Sequence, residues 1–176
     1  MLLHAIFGFS LALLWPSAGS QGASYSGQAV IPQDVPQDLM ITLERTMCYW
    51  RCPTYTLTIT ADGAVIFEGR HFVKQEGATI KSVISRDGLK QLMAEFDRVK
   101  FFSLEDDYMH DPRVCAEDRY DSPSAFTSIR IDGKSKTVRH YYGCRGPKVP
   151  RELIELEFKI DKIVNTAQWL SDKKGR

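Results

Sequence analysis

Between residues 54 and 60 the chain reads TYTLTIT, with Tyr55, Leu57 and Ile59 on one side of a two-residue repeat and Thr54, Thr56, Thr58 and Thr60 on the other. Only an extended strand sends alternate side chains to opposite faces, so this run specifies a half-buried β-strand. ADG follows at 61–63, with Gly63 free to take positive φ, and AVIFEG at 64–69 supplies a return strand. This hairpin commits the first half of the chain to antiparallel pairing.

The flanking runs extend the pattern. LMITLERT at 39–46 alternates, with Ile41 and Leu43 on one face and Met40, Thr42 and Glu44 on the other. RHFVK and ATIKSVI are shorter strand candidates. From Ser85 the period changes: Leu89, Leu92, Met93, Phe96 and Val99 recur at helical spacing, with Ser85 as N-cap and Asp87 favourably placed in the first turn. SAFTSIRI and KSKTVRHYY flank Asp132 and Gly133, a second hairpin with a strong turn signal. A closing helix is predicted from about Arg151 to Trp169, with Pro150 suited to its first turn and Leu153, Leu156, Ile160, Ile163, Val164 and Ala167 along one stripe. Residues 103–123 hold no sustained period and many turn formers, which predicts a long surface loop carrying Cys115. The order meander, helix, hairpin, helix predicts an α+β domain: an antiparallel sheet of about five to six strands with two helices packed on one face. No alternating βαβ series is present, which argues against a doubly wound nucleotide-binding sheet.

Residues 1–15 are apolar apart from His4 and Ser10 and carry no Lys or Arg; Pro16 and the small-residue stretch SAGSQGAS follow. That pattern predicts a signal peptide over 1–20, cut after Gly19 or Ser20, and a periplasmic or secreted protein. The alternative, a membrane anchor, needs roughly 20 apolar residues, and this run is shorter. Stable membrane insertion after cleavage is therefore not expected. Residues 21–38, rich in Gly, Ser, Gln and Pro, read as a flexible linker, 39–171 as the domain and 172–176 as a tail. Lys plus Arg (23) nearly balance Asp plus Glu (22), so no global field favours nucleic acid as a partner.

Export changes the meaning of the four cysteines, Cys48, Cys52, Cys115 and Cys144: an even number in an oxidising compartment predicts two disulfides, with three pairings open. Pairing Cys48 with Cys52 contributes about 2 kcal/mol by loop entropy, and pairing Cys115 with Cys144 about 3.5 kcal/mol. Crossed pairings such as Cys48 with Cys144 restrain more chain. Cys48 and Cys52 are also a candidate redox pair, with Arg45 and Arg51 nearby to favour a thiolate. Three residues separate them rather than two, however, and Pro53 and a strand follow where a helix N-terminus would be needed. A zinc site lacks the second short ligand pair.

His110 and Asp111, with Asp106 and Asp107, are the candidates for an ion or for acid–base work, but no calcium-loop pattern is present and such a loop is ordinarily solvated. His140 falls in phase with Val138 and Tyr142 and reads as a satisfied, partly buried histidine. Lys134, Lys136 and Arg139 with Tyr141 and Tyr142 read as exposed sheet face. No nucleophile elbow, phosphate loop or H-E-x-x-H pair occurs, so no catalytic residue, metal or cofactor is assigned. The candidate binding face comprises Tyr49, Trp50 and Arg51, with His140 and Tyr142.

The segments ITLERTMCYWRCPTYTLTITADGAVIFEG, FDRVKFFSLEDDY, DSPSAFTSIRIDGKSKTVRHYYGC and LIELEFKIDKIVNT, in this order over about residues 39–170, resemble the bacterial DUF6438 family. The family's C-aromatic-Gly-x-C-Pro-x-Tyr signature falls on Cys48, Tyr49, Cys52, Pro53 and Tyr55. This chain departs at Trp50, where the family tends to have Gly; a positive φ there would strain the tryptophan. The resemblance implies an envelope or secreted protein and carries no catalytic residue. Together these readings predict a non-catalytic binding or structural module of the bacterial envelope, acting on an envelope protein or ligand, with a thiol-redox protein or enzyme using Cys48 and Cys52 as the alternative.

Overall fold

The computed structural model describes residues 35–171. The expected signal peptide, the linker up to residue 34 and the tail at 172–176 lie outside the described residues. The sheet strands begin with β1 (Met40–Arg45), β2 (Thr54–Thr60), β3 (Ala64–His71) and β4 (Thr79–Val83), followed by α1 (Arg86–Arg98). Then come β5 (Asp107–Tyr108), β6 (Glu117–Asp118), β7 (Ser124–Ile131), β8 (Lys134–Tyr141), β9 (Cys144–Arg145) and α2 (Arg151–Val164).

Seven strands form one sheet in the order β4-β3-β2-β1-β7-β8-β5, and β6 pairs with β9 in a separate ribbon. β1 is the keystone. It lies between the two hairpins, antiparallel to both, with Arg45 opposite Tyr55 on one side and Ala125 on the other. The α+β class agrees with the sequence reading, but two details of the sheet differ. It has seven strands rather than five or six, and it is mixed, because β5 runs parallel to β8. The added strand comes from the stretch expected to be a structureless loop. Two residues are too few to show a period; what holds them is the Arg139 amide donating to the Asp106 carbonyl at 2.9 Å and ion pairs from Lys136 to Asp106 and Arg139 to Asp107.

The alternation of β1 and β2 appears directly in burial: Ile41, Leu43, Leu57 and Ile59 are fully buried, while Thr42, Thr56 and Thr58 are partly exposed. The helices cover that apolar face with Leu89, Leu92 and Phe96 from α1 and Leu153, Leu156 and Ile160 from α2. Each such side chain contributes about 2 kcal/mol when fully buried, as much as a short disulfide, so the sheet–helix core is the main source of stability. Ser85 caps α1 as expected, its hydroxyl accepting from the Gly88 amide at 3.1 Å. α2 stops at Val164, five residues short of the expected end. Asn165 there adopts the left-handed conformation and a 3₁₀ turn, Thr166–Gln168, follows, which leaves Ala167 exposed and Trp169 buried.

Pro150 sits just outside α2, as its N-cap, with extended backbone. RHFVK does not form a strand of its own: Arg70 and His71 finish β3, and Phe72 breaks it with φ 57°. Both turns use left-handed residues as their sequences require, Gly63 in the first and Asp132 with Gly133 in the second. Residues 35–38, read as the end of a linker, are packed. Val35 is buried, and the Asp38 carboxylate accepts from the amides of Asp132 and Gly133 at 2.9 and 2.8 Å, tying the entry of β1 to the second turn. Those bonds, the Gly133 amide foremost, hold the Asp38 carboxyl below the usual range.

Candidate binding site at the disulfide-closed end

β1 and β2 are joined by residues 46–53, the segment TMCYWRCP. Its two cysteines pair with each other: Cys48 bonds Cys52 with Cα atoms 5.6 Å apart, and Cys115 bonds Cys144. Neither crossed pairing forms. The loop is tethered at its root, where Thr46 donates its amide to the Ser124 carbonyl at 3.0 Å and accepts from the Ser124 amide through its hydroxyl at 2.8 Å. Nearer the tip the Tyr49 amide donates to the Asp121 carbonyl at 3.3 Å.

Between these ties the tip projects outward. Tyr49 and Trp50 are 73% and 78% exposed and meet edge to face at 5.9 Å, and Arg51 is exposed beside them. Trp50 is not among the residues with positive φ, so the chain turns here without the conformation that would have strained it.

Behind the loop lies a cleft of about 330 Å³ lined by Cys52, Pro53, Tyr55, Tyr142, Phe158 and Leu170, with Arg45 and Asp161 at its floor. The floor is a connected polar cluster. Arg45, the last residue of β1, donates to Asp161 at 2.8 Å and to the Tyr142 hydroxyl, and stands 3.8 Å from Glu157. Its guanidinium lies 5.4 Å from the ring centres of both Tyr142 and Phe158. The Tyr142 hydroxyl donates to Glu157 at 2.6 Å, and the Tyr55 hydroxyl donates to Asp161 at 2.6 Å. His140 is fully buried with Nδ1 at 3.1 Å from Glu157; a carboxylate only accepts, so Nδ1 carries the hydrogen. His140 Nε2 is buried without a hydrogen-bond partner among the described residues.

The electrostatics follow from this geometry. Burial works against the charge on Arg45, but Asp161, with the two tyrosines and Glu157, outweighs it and holds the guanidinium pKa above its ordinary value. Burial first and then the neighbouring carboxylate, Asp161 for Tyr55 and Glu157 for Tyr142, raise both phenol pKa values well above normal. These phenols stay protonated and act as hydrogen-bond donors. Apart from His140 Nε2, the cluster's polar groups are spent on one another, so it fastens the sheet to α2 and gives the cleft a hydrogen-bonded floor.

The sequence candidates thus divide. Tyr49, Trp50 and Arg51 stand on the exposed loop, Tyr142 lines the cleft behind them, and His140 is buried below it, out of reach of solvent. Glu157 and Asp161 were not singled out from the sequence. Their signal was nonetheless there, since Glu157 lies four residues after Leu153 and three before Ile160, on the apolar stripe of α2, and Asp161 lies one turn further on. Arg45 likewise falls in phase with Ile41 and Leu43.

The other candidates sit elsewhere and do not converge. His110 pairs with Asp118 at 2.6 Å, Asp111 with Arg113 at 2.7 Å, Asp106 with Lys136 and Asp107 with Arg139. The Arg113 side chain keeps the Asp111 carboxyl below its usual range. Asp106, Asp107, Asp111 and Arg113 line an open depression of about 750 Å³, which His110 and Asp118 do not reach, and no cluster of three metal-ligating side chains forms among the described residues. Cys115 and Cys144 are buried with Tyr141 in a small second core, where Tyr141 donates to the Arg119 carbonyl at 2.7 Å. A side chain at Gly143 would meet that carbonyl at 2.1 Å, so the approach of β9 to residue 119 requires glycine.

No helix among the described residues is long and apolar enough to cross a membrane. No curated protein matches the chain. A family model described as a domain of unknown function, DUF6438, matches residues 39–164, from the residue before β1 to the last residue of α2. The sheet, both helices, both disulfides and the Arg45 cluster all fall within that match, and the chain belongs to the DUF6438 family.

Proposed function

We propose that the protein is exported into the bacterial envelope and works there as a non-catalytic binding or structural module, with the Cys48–Cys52 loop and the cleft behind it as its contact surface. One observation carries the reading: two large aromatic side chains are held outward on a loop that is cross-linked, tied to β7 and backed by an apolar cleft. Holding such rings in water has no benefit for folding, and rigid exposed Trp and Tyr are the residues that most often anchor interfaces. The leader-like residues 1–20 and the two disulfides support export. Fractionation with mass analysis of the mature N-terminus tests it. The expected product is a periplasmic or secreted chain beginning near residue 20 with no free thiol; a cytoplasmic, unprocessed chain with reduced cysteines sinks the proposal.

The second reading, thiol redox chemistry at Cys48 and Cys52, draws support from the partial exposure of that pair and from Cys52 lining the cleft. Against it, Pro53 and β2 follow the pair, so no helix N-terminus stabilises a thiolate. Thiol counting after graded mild reductant separates the two. A Cys48–Cys52 bridge that opens at the potential of cellular dithiols favours redox work, and one that resists favours the module.

A further inference from the structure

The seven-stranded sheet ends on β5 at one side and on β4 at the other, and the two edges are unlike. β5 is two residues long, and the acids beside it, Asp106 and Asp107, are held by Lys136 and Arg139. β4, with the sequence TIKSV, runs for five residues, carries one charge and neither proline nor glycine, and pairs only with β3. A bare strand of that length is a template for another strand.

The register fixes which backbone groups are left over. Neighbouring residues of an antiparallel strand send their N–H and C=O to opposite sides. The Ala78 carbonyl accepts from the Gly69 amide at 3.0 Å and the Ile84 amide donates to the Gly63 carbonyl at 2.9 Å, so Ile80 and Ser82, which share that parity, face β3. Thr79, Lys81 and Val83 therefore point three amides and three carbonyls away from the sheet, where no strand among the described residues meets them.

The side chains of these three lie on the sheet face that the helices leave uncovered. Ile80 and Ser82 stand opposite Phe67 and Val65, which are buried in the core, whereas Thr79, Lys81 and Val83 stand opposite Glu68, Ile66 and Ala64. Val83 is 77% exposed, and Lys81 is exposed without an ion-pair partner among the described residues.

Lys81 also decides what the edge accepts. When two copies of β4 lie antiparallel with all three outward residues matched, their Lys81 side chains fall opposite each other, which is destabilising. A lysine on an edge strand guards against such self-pairing, yet the same charge attracts a carboxylate. We infer that β4 is a docking edge for an extended segment of a partner protein, with a carboxylate opposite Lys81 and an apolar side chain two residues away, opposite Val83. Main-chain hydrogen bonds hold such a strand, and its alternate side chains give the choice of partner. This edge uses other residues than the Cys48–Cys52 surface and requires no assumption about export, so either reading can fail alone.

The test uses the purified chain with both bridges formed and two acetylated, amidated peptides, Thr-Val-Thr-Glu-Val-Thr-Thr and the same sequence with Lys in place of Glu. In the free chain the Thr79, Lys81 and Val83 amides exchange with deuterium faster than those of Ile80 and Ser82, which bond to β3. The Glu peptide slows those three amides, and the Lys peptide binds roughly fivefold more weakly. Lys81→Glu reverses that preference. Thr79→Pro removes one outward donor without touching a bond to β3, and weakens binding roughly fivefold or more at an unaltered melting temperature. If that variant melts lower, methylating the glutamate amide of the peptide asks the same question of the unaltered chain, and undiminished binding overturns the inference. Outward amides already protected in the dilute free chain overturn it by showing the edge covered, and protection that appears only as the free chain is concentrated assigns the edge to a second copy. A Glu peptide that slows none of the three up to its solubility limit, or equal binding of the two peptides, overturns it as well.

Discussion

The molecule carries the same cross-link in two places and uses it for opposite ends. The Cys115–Cys144 bridge spans 29 positions, is buried, and packs with Tyr141 into a second small core that orders an otherwise irregular stretch. The Cys48–Cys52 bridge spans four positions, is partly exposed, and sits on a segment already tethered by the Thr46–Ser124 bonds and the Arg45 cluster. One bridge makes structure where local sequence cannot; the other trims the freedom of a loop whose side chains stay in water. A short bridge has little unfolded-state entropy to remove, so its effect is local shape.

The contrast can be broken at several points. The largest effect is expected from Arg45→Met, which leaves Asp161 and Glu157 facing each other in a buried site without their cation. A loss of about 4 kcal/mol in urea unfolding is expected, and a loss below about 1 kcal/mol would mean that the cluster does not anchor the loop. Next, replacing Cys115 and Cys144 together by Ala costs about 3.5 kcal/mol and exposes the 103–123 segment to proteolysis. If that segment stays protected, β5 and the ion pairs of β8 hold it without the bridge.

Alkaline titration comes third. Tyr55 and Tyr142 have pKa values raised by folding, so their contribution is complete below the unfolded value of about 10 and is lost as pH climbs above it. Each costs about 1.4 kcal/mol per pH unit in that window. Their phenolate absorbance is expected to appear only together with unfolding; ionisation at the ordinary pKa while the circular dichroism stays native contradicts their burial in the cluster.

Removing the short bridge, by Cys48→Ala with Cys52→Ala, costs about 2 kcal/mol by loop entropy and leaves protease resistance of the 103–123 segment unchanged. Equal losses for the two bridges would erase the distinction drawn between them. The smallest effect is that of Trp50→Ser, within about 0.5 kcal/mol of the parent by thermal melting, because the ring gives no core contact. A larger loss shows that Trp50 packs in solution and is not free to meet a partner.

Much of the fold was legible because it is local. The hairpins follow from period-two runs meeting at Gly63 and at Asp132 with Gly133, and α1 from a helical stripe opened by Ser85. The errors fall where local pattern is weakest: β5 is two residues long, and the end of α2 depends on Asn165 adopting a left-handed conformation in a run that continues to look helical. At the candidate site, Tyr49, Trp50 and Arg51 stand out in the sequence because large aromatics inside a cysteine loop are an odd composition, and only the structure shows that the two rings are exposed. Glu157 and Asp161 were missed because an acid on an apolar stripe gives no clue to its partner. His140, expected to be satisfied and partly buried, is instead fully buried with Nε2 unpartnered among the described residues, because nothing local shows that it is sealed under the cleft that Tyr142 lines.

By itself, then, the sequence determined the long strands β1–β3, β7 and β8, the start of both helices, both turns and the α+β class. All of these are set by interactions within a few residues along the chain. Only the tertiary structure decided which cysteines pair, that β1 bridges the two hairpins, that β5 runs parallel at the edge, and that Arg45 meets Asp161 across 116 positions. The physical reason is that pairing and charge compensation depend on which surfaces the core brings together. Side chains far apart in sequence meet only after the hydrophobic faces of the sheet and of α2 have been buried against each other.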